Sequence, residues 1–207
     1  MKLYWHPFSI MPWRVRIALH EKGIPYHSEK VDVYSSKERT PDFLRLNPFG
    51  QIPVLEDEDV TVAESIAILE YLEERYPTPA LMPTGAARRA MARQLMCWGT
   101  DYWPAAWKKW MAPRLKDAVW TEASVLEGRS EIAAHLNVLE PFLERQDWLV
   151  GSYSLADVCY APLVLVLDRV GLEEEISTRP GISGWVSRLR GRPAIRETML
   201  AGTESKS

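Results

Sequence analysis

A proline-rich stretch divides this 207-residue chain into two parts with different hydrophobic patterns. Residues 76–85 contain Pro77, Pro79 and Pro83 and follow neither strand nor helix spacing, which is typical of a linker between domains. Before this stretch, segments with strand-like spacing of apolar residues are followed in turn by segments with helix-like spacing. After it, the apolar residues show helix-like spacing only. We therefore predict an α/β domain over residues 1–77, a linker over 78–85 and an all-α domain over 86–207.

The first domain is predicted to have the element order βαβαββα. Its elements end at breaker residues such as Gly23 and the Asn47-Pro48 pair. The predicted segments are a strand over 2–5, a helix through 15–22, a strand over 30–34, a helix over 43–46, strands over 52–55 and 60–62, and a helix over 64–75. The second domain is predicted to contain helices over 86–111, 131–144, 156–170 and 182–189, and Pro104 can kink the first of them.

The composition argues against nucleic acid and membranes as partners. Lys and Arg total 25 against 28 Asp and Glu, so the net charge is -3 and no basic field exists. The longest apolar run, 160–167, is interrupted by Pro162 and is shorter than the ~20 residues of a membrane helix. The chain has two cysteines and no secretory apolar segment at its start, so we expect a cytoplasmic protein. The four histidines lack metal-ligand spacing, and we expect no metal site.

Pro53 stands at the start of a predicted inner strand, where a trans proline would remove a hydrogen bond from the ladder. Two arrangements avoid this problem: a cis Ile52–Pro53 peptide, or a strand at the edge of the sheet. A cis bond would present the backbone of Ile52 to a peptide-like ligand, which could pair with it as an added strand.

Two predicted helix starts carry candidate ligand-binding groups. Ser65 opens the helix over 64–75, where free N–H groups and a partial positive charge suit a carboxylate, and Glu64 suits an ammonium group. Ser9 lies before the first helix, where its hydroxyl and the helix N–H groups could stabilise a thiolate and lower its pKa. Helix capping alone also explains both serines.

The order and spacing of these signals resemble the cytosolic glutathione transferases along essentially the whole chain. The matching segments are WRVRIAL (13–19), NPFGQIPVL (47–55) and ESIAILEYL (64–72), and SLAD (154–157) resembles the capping box of the family's helical domain. Ser9 occupies the catalytic serine position of the zeta, phi and tau classes. The chain is most similar to the zeta class, although that class carries Ser-Ser-Cys where this chain reads Ser9-Ile10-Met11.

The resemblance implies a thioredoxin-like N-terminal domain that binds glutathione as co-substrate, and a homodimer. It implies that Glu64 and Ser65 bind the γ-glutamyl end of glutathione and that Ile52, through Pro53, binds its cysteinyl backbone. It adds Gln51 as a further polar contact and places Ser9 at the sulfur. Tyr4 is a second candidate for that last role, ranked below Ser9.

Aromatic residues cluster near the end of the first helix of the second domain. Trp103, Trp107 and Trp110 fall on one helical face, and with Met11 they could line a pocket for a hydrophobic or aromatic electrophile. Packing in the core or in a dimer interface explains the same face equally well.

Three functions fit these observations. The first is a glutathione transferase that directs the glutathione thiolate at an electrophile. The second is a glutathione-dependent cis–trans isomerase of the maleylacetoacetate or maleylpyruvate type. The third is a non-catalytic module of the same fold that binds apolar ligands or proteins.

Overall fold

The computed structural model describes residues 1–32, 40–113 and 121–199, which form two compact units. The first unit comprises Met1–Leu81 and the described part of Gly191–Ser207, and the second comprises Met82–Arg190. Residues 191–199 therefore belong to the first unit, whereas the all-α domain predicted from the sequence included them.

The first unit is built on a four-stranded mixed sheet. Its strands are β1 (Lys2–Trp5), β2 (His27–Lys30), β3 (Val54–Asp57) and β4 (Val60–Ala63), in the order β2-β1-β3-β4. β1 pairs with β2 in parallel and with β3 antiparallel, and β3 and β4 form an antiparallel hairpin. The second strand begins at His27, earlier than the predicted residue 30, and residues 33 and 34 of that prediction lie outside the described ranges.

Helices α1 (Ile10–Glu21), α2 (Pro41–Leu46), α3 (Ser65–Arg75) and α10 (Pro193–Thr198) complete this unit. The observed order is the predicted βαβαββα, with α10 added from the far end of the sequence. Two polar contacts hold α10 on α1. The Trp13 indole N–H donates to the Thr198 hydroxyl at 3.0 Å. The Arg192 guanidinium donates two hydrogen bonds to the Glu21 carboxylate, at 2.6 and 2.7 Å. A six-residue helix preceded by a single arginine gave too weak a periodic signal for the sequence to predict this docking.

The second unit is all helical. Its helices are α4 (Ala86–Asp101), α5 (Trp103–Met111), α6 (Glu122–Leu143), α7 (Leu155–Leu165), α8 (Glu173–Ser177) and α9 (Pro180–Gly191), with a 3₁₀ turn at Leu167–Arg169. The predicted helix over 86–111 is two helices that meet at Tyr102, with Pro104 in the first turn of α5, where its missing N–H costs nothing.

Helix α7 is the centre of the second unit, and every one of its residues is buried. It starts with the predicted capping box: the Ser154 hydroxyl accepts from the Ala156 N–H at 3.2 Å, and Asp157 accepts from the Ser154 N–H at 2.9 Å. Within the described residues, none of the helices is both long and apolar enough to cross a membrane.

Candidate functional site

The pairing of three strands brings the predicted ligand-binding segments to one edge of the sheet. Tyr4 of β1 pairs with Val54 of β3, and Val54 pairs with Ala63 of β4. The end of β1, the start of β3 and the end of β4 therefore lie side by side. The loop to Ser9, the segment Gln51–Pro53 and the Glu64–Ser65 pair extend from these three strand ends, so the structure gathers at one edge the residues predicted for glutathione.

Ser9 is the N-cap residue of α1, but its side chain makes no capping hydrogen bond. Its backbone is extended, with φ -100° and ψ 123°, and its N–H donates to the His6 carbonyl at 3.0 Å. The His6 ring accepts from the Phe8 N–H at 3.2 Å, so His6 accepts two hydrogen bonds within the turn from residue 6 to residue 9. The hydroxyl of Ser9 therefore lies beside the N-terminus of α1 and makes no capping hydrogen bond. A hydroxyl in this position can donate a hydrogen bond to the thiolate of a ligand.

Tyr4 is a poor candidate for activating a thiol. Its hydroxyl donates to the Glu56 carboxylate at 2.6 Å. Burial and this hydrogen bond raise the pKa of Tyr4 above its ordinary value. A phenol that already donates its proton to a carboxylate has none to offer a sulfur, so Ser9 remains the stronger candidate.

The start of α3 combines a strained residue with a buried hydroxyl. Glu64 has φ 70°, a left-handed conformation that is uncommon outside glycine and costs about 1–3 kcal/mol. Its side chain is exposed, whereas Ser65 is only 5% exposed. Such strain persists where the surrounding fold enforces it, and it is frequent at ligand-binding positions.

Arg14 is a residue of this site that was not among the candidates predicted from the sequence. Its side chain is completely buried on α1, and a terminal guanidinium nitrogen lies 3.5 Å from the Ser65 hydroxyl. Arg14 shares its helix face with the buried Ile17 and Ala18. An arginine on the apolar face of a helix is the signal in the sequence that could have identified it.

The segment before β3 is held by the side chain of Asn47. Its amide nitrogen donates to the Gln51 carbonyl at 2.8 Å, and its amide oxygen accepts from the Phe49 N–H at 3.1 Å. The Ile52–Pro53 peptide is cis, the first of the two arrangements that the sequence left open, and it precedes an inner strand rather than an edge strand. The Gln51 side chain is exposed at this edge of the sheet.

This edge suits a zwitterionic peptide that carries a thiol. Two helix N-termini, those of α1 and α3, supply N–H donors and partial positive charge for a thiolate and a carboxylate. The exposed Glu64 carboxylate can bind an ammonium group close to the carboxylate that α3 attracts. Among the described residues, no group of three or more His, Cys, Asp or Glu side chains is placed to hold a metal ion.

The tryptophans predicted to line a second pocket have different environments. Trp103 is 1% exposed and packs edge-on against the His135 ring. It therefore belongs to the core of the second unit, which is one of the packing roles that the sequence left open, and does not line a pocket. The half-buried Trp110 donates its indole N–H to the Val170 carbonyl at 3.2 Å. Trp107 and Met11 are also half-buried, and their contact with a substrate remains a prediction.

Comparison with known protein families agrees with this geometry. The model of the glutathione S-transferase N-terminal domain matches residues 8–75, and that of the C-terminal domain matches residues 102–193. The chain belongs to the glutathione S-transferase family. Both the family and the fold predicted from the sequence are thereby confirmed.

Individual members of the family are similar over nearly the whole chain. Glutathione S-transferase 3 of Zea mays is 33% identical over 97% of this chain and 94% of its own length. The maleylacetoacetate isomerase of Pseudomonas aeruginosa is also 33% identical, over 95% of this chain and 94% of its own. Glutathione transferase URE2P6 from Phanerochaete chrysosporium, solved in complex with oxidized glutathione, superposes with a TM-score of 0.88 at 27% identity, covering 98% and 97% of the two chains.

Proposed function

We propose that this member of the family is a glutathione transferase that ionises the thiol of bound glutathione and directs it at a hydrophobic electrophile. The observation that carries the proposal is the Ser9 hydroxyl, which no helix cap uses and which lies at the sheet edge that Glu64 and Ser65 share. The name of the relative solved with oxidized glutathione supports the same ligand.

Ser9 would act by donating its O–H to the sulfur anion. This hydrogen bond and the positive end of α1 both favour the thiolate over the thiol, and the thiol proton passes to solvent. The thiolate electron pair then forms a carbon–sulfur bond. In a substitution the leaving group departs with its bonding pair, and in an addition the displaced pair takes up a proton.

Glu64, Ser65 and Arg14 would hold the other end of the tripeptide. Glu64 would pair with the γ-glutamyl ammonium group, and the Ser65 hydroxyl and the N–H groups of α3 would bind the adjacent carboxylate. Arg14 would act through Ser65 as a positioning residue, since its guanidinium lies 3.5 Å from that hydroxyl. Ile52 and Gln51 would bind the cysteinyl part of the ligand.

A glutathione-dependent isomerase is the second candidate, favoured by the similarity to the maleylacetoacetate isomerase of P. aeruginosa. In that reaction the thiolate adds to a conjugated cis double bond, and the bond between the two carbons becomes single and rotates. The carbon–sulfur bond then breaks, the double bond re-forms as trans, and glutathione leaves unchanged.

Product mass distinguishes the two reactions. The protein is incubated with glutathione and either 1-chloro-2,4-dinitrobenzene or maleylpyruvate, and the products are analysed by mass spectrometry. Conjugation adds the tripeptide to the product, whereas isomerisation leaves the mass unchanged. Turnover of neither compound, with no binding of glutathione, would favour the non-catalytic module instead.

A pair of glutamates provides a matched test of the binding role. Glu64 and Glu58 both have positive φ and flank β4, but they lie at opposite ends of it. Glu64→Gln should raise the KM for glutathione about tenfold, because it removes one charge-assisted hydrogen bond. Glu58→Gln should leave KM unchanged. Equal effects of the two substitutions would contradict the assignment of Glu64.

We also propose that the protein is a cytoplasmic homodimer, as expected from the family. Light scattering during size-exclusion chromatography should give twice the 23.7 kDa chain mass. A mass of one chain at micromolar concentration would exclude the dimer.

A further inference from the structure

Helix α10 packs on α1, the helix whose N-terminus would stabilise the glutathione thiolate. It makes a polar contact with each end of α1. In the first turn the Trp13 indole N–H donates to the Thr198 hydroxyl at 3.0 Å. In the last turn Arg192 donates to Glu21 at 2.6 and 2.7 Å. Trp13 follows Ser9 by four residues, so the contact with Thr198 is made one helical turn away from the serine proposed to bind the sulfur.

The hydroxyl of Thr198 accepts from a fixed direction. Its side chain is completely buried, and it donates its own proton to the Ala194 carbonyl at 2.6 Å, within α10. The oxygen is thereby turned to accept, and the donor it meets is the Trp13 indole. Because Trp13 is only 1% exposed, removing the Thr198 oxygen would leave a buried N–H group without this acceptor.

The first turn of α1 has few N–H groups to offer a ligand. The Ser9 N–H is bound to the His6 carbonyl, and Pro12 has no N–H. The N–H groups of Ile10 and Met11 remain, since the first N–H groups of a helix have no partner within it. These two groups and the Ser9 hydroxyl stabilise an anion only if they converge on it. A small displacement of this turn would therefore weaken all three interactions at once.

We propose that Thr198 is a positioning residue for the glutathione thiolate. By binding the indole of Trp13 it fixes the first turn of α1, so that the Ser9 hydroxyl and the two N–H groups of that turn converge on the sulfur. The inference rests on the proposed function, because it concerns the same thiolate. It assigns a role at the sheet edge to a residue that lies 189 positions after Ser9 in the sequence.

The test compares the thiol pKa of bound glutathione in the wild-type protein and in Thr198→Val, which keeps the shape of threonine and removes the acceptor. The bound thiol pKa should rise by about 0.5–1 unit, which lowers the thiolate fraction about three- to tenfold at a pH below the pKa. Glutathione should bind as tightly as to the wild type, because Glu64, Ser65 and Ile52 are unchanged. Thr198→Ser keeps the hydroxyl and should restore the wild-type pKa.

Arg192→Gln is the matched control. It weakens the docking of α10 at the other end of α1, about 17 Å along the helix from Ile10, so it should lower the melting temperature and leave the thiol pKa unchanged.

Trp13→Phe removes the donor of the same hydrogen bond. It should raise the thiol pKa as Thr198→Val does, and combining the two substitutions should raise it no further. If Thr198→Val does not fold, Trp13→Phe takes its place in the comparison with Arg192→Gln.

The outcomes separate this inference from the proposed function. A wild-type protein that leaves the thiol pKa at the value of free glutathione refutes both. A lowered pKa that persists in Thr198→Val, or that Arg192→Gln raises by the same amount, refutes the positioning role of Thr198 alone.

Discussion

Replacing Asp157 by asparagine tests how the second unit is held together. Its carboxylate accepts four hydrogen bonds inside the protein, and each oxygen receives two of them. One oxygen accepts from the Leu149 N–H at 3.1 Å and the Trp185 indole N–H at 3.0 Å. The other accepts from the N–H and the hydroxyl of Ser154, at 2.9 and 3.1 Å.

The substituted side chain of Asp157→Asn would have the size of the native one but only one accepting oxygen. Its NH₂ group cannot accept, so whichever way the amide is turned, at least one N–H donor loses its partner; an NH₂ group turned toward Ser154 keeps a bond only if the hydroxyl rotates and accepts from it. A hydrogen bond to a charged group contributes about 1.5–3 kcal/mol, and losing one or two of them costs about 1.5–6 kcal/mol. Burial raises the pKa of Asp157 to about 6, so the native carboxylate is desolvated and its removal recovers part of this cost. We expect a net loss of about 3 kcal/mol in the free energy of unfolding.

Urea unfolding followed by circular dichroism measures this difference in the free energy of unfolding. The measurement is made at pH 7.5, which is above the pKa of Asp157, so that the native carboxylate is ionised. Asp147→Asn is the matched control: Asp147 is exposed and lies 3.4 Å from Arg188, a surface pair that contributes less than about 1 kcal/mol. A loss below about 1 kcal/mol for Asp157→Asn, with an unchanged m-value, would refute the view that these four bonds anchor α7.

Three further substitutions are expected to change stability. A Cβ at Gly128 would lie 2.8 Å from backbone atoms of α5, so Gly128→Ala should cost about 1–3 kcal/mol in thermal unfolding, whereas Gly191→Ala, with nothing within 4 Å, should be neutral. Lys22 and Glu73 form a buried ion pair 2.7 Å apart, so Lys22→Met should lower the free energy of unfolding by about 3–5 kcal/mol, because it leaves the Glu73 carboxylate buried without this partner. A change near zero would mean that the Glu73 charge is solvated. The pKa of His135 is lowered from 6.5 to about 4, so the unfolded chain takes up the proton first as the pH falls, and the free energy of unfolding decreases by up to about 3 kcal/mol between pH 6.5 and 4. His135→Gln should remove this decrease. Equal slopes of the free energy of unfolding against pH for the two proteins would contradict the lowered pKa.

Local sequence patterns predicted much of the fold. Strands β3 and β4 and helix α3 were predicted because two β-branched runs flank the acidic segment 56–59 and helix-spaced apolar residues follow them. The Ser154–Asp157 capping box was predicted from the resemblance of SLAD to the family's helical domain, and the motif is local, since its two residues are three positions apart and bond to each other and to nearby backbone. The docking of α10 could not be predicted, since it depends on Trp13 and Thr198, which are 185 residues apart.

The candidate site was predictable to a similar extent. Ser9, Glu64 and Ser65 each stand at a helix start, a position that the sequence marks. Their meeting at one edge follows from strand register, which no local pattern encodes. The roles of Trp103 and Arg14 could not be assigned, because one face of a helix can pack against a neighbour or line a pocket, and only the tertiary structure decides between them.

The pKa of the glutathione thiol in its complex with this protein tests the central claim most directly. Thiolate absorbance is followed from pH 5 to 9 with saturating glutathione, for the wild-type protein and for Ser9→Ala, with binding heat measured in parallel. The account predicts a bound thiol pKa at least about one unit below that of free glutathione, and its return toward the free value in Ser9→Ala while glutathione still binds. A bound thiol that titrates like free glutathione, or an equally lowered pKa in both proteins, would contradict the role of Ser9.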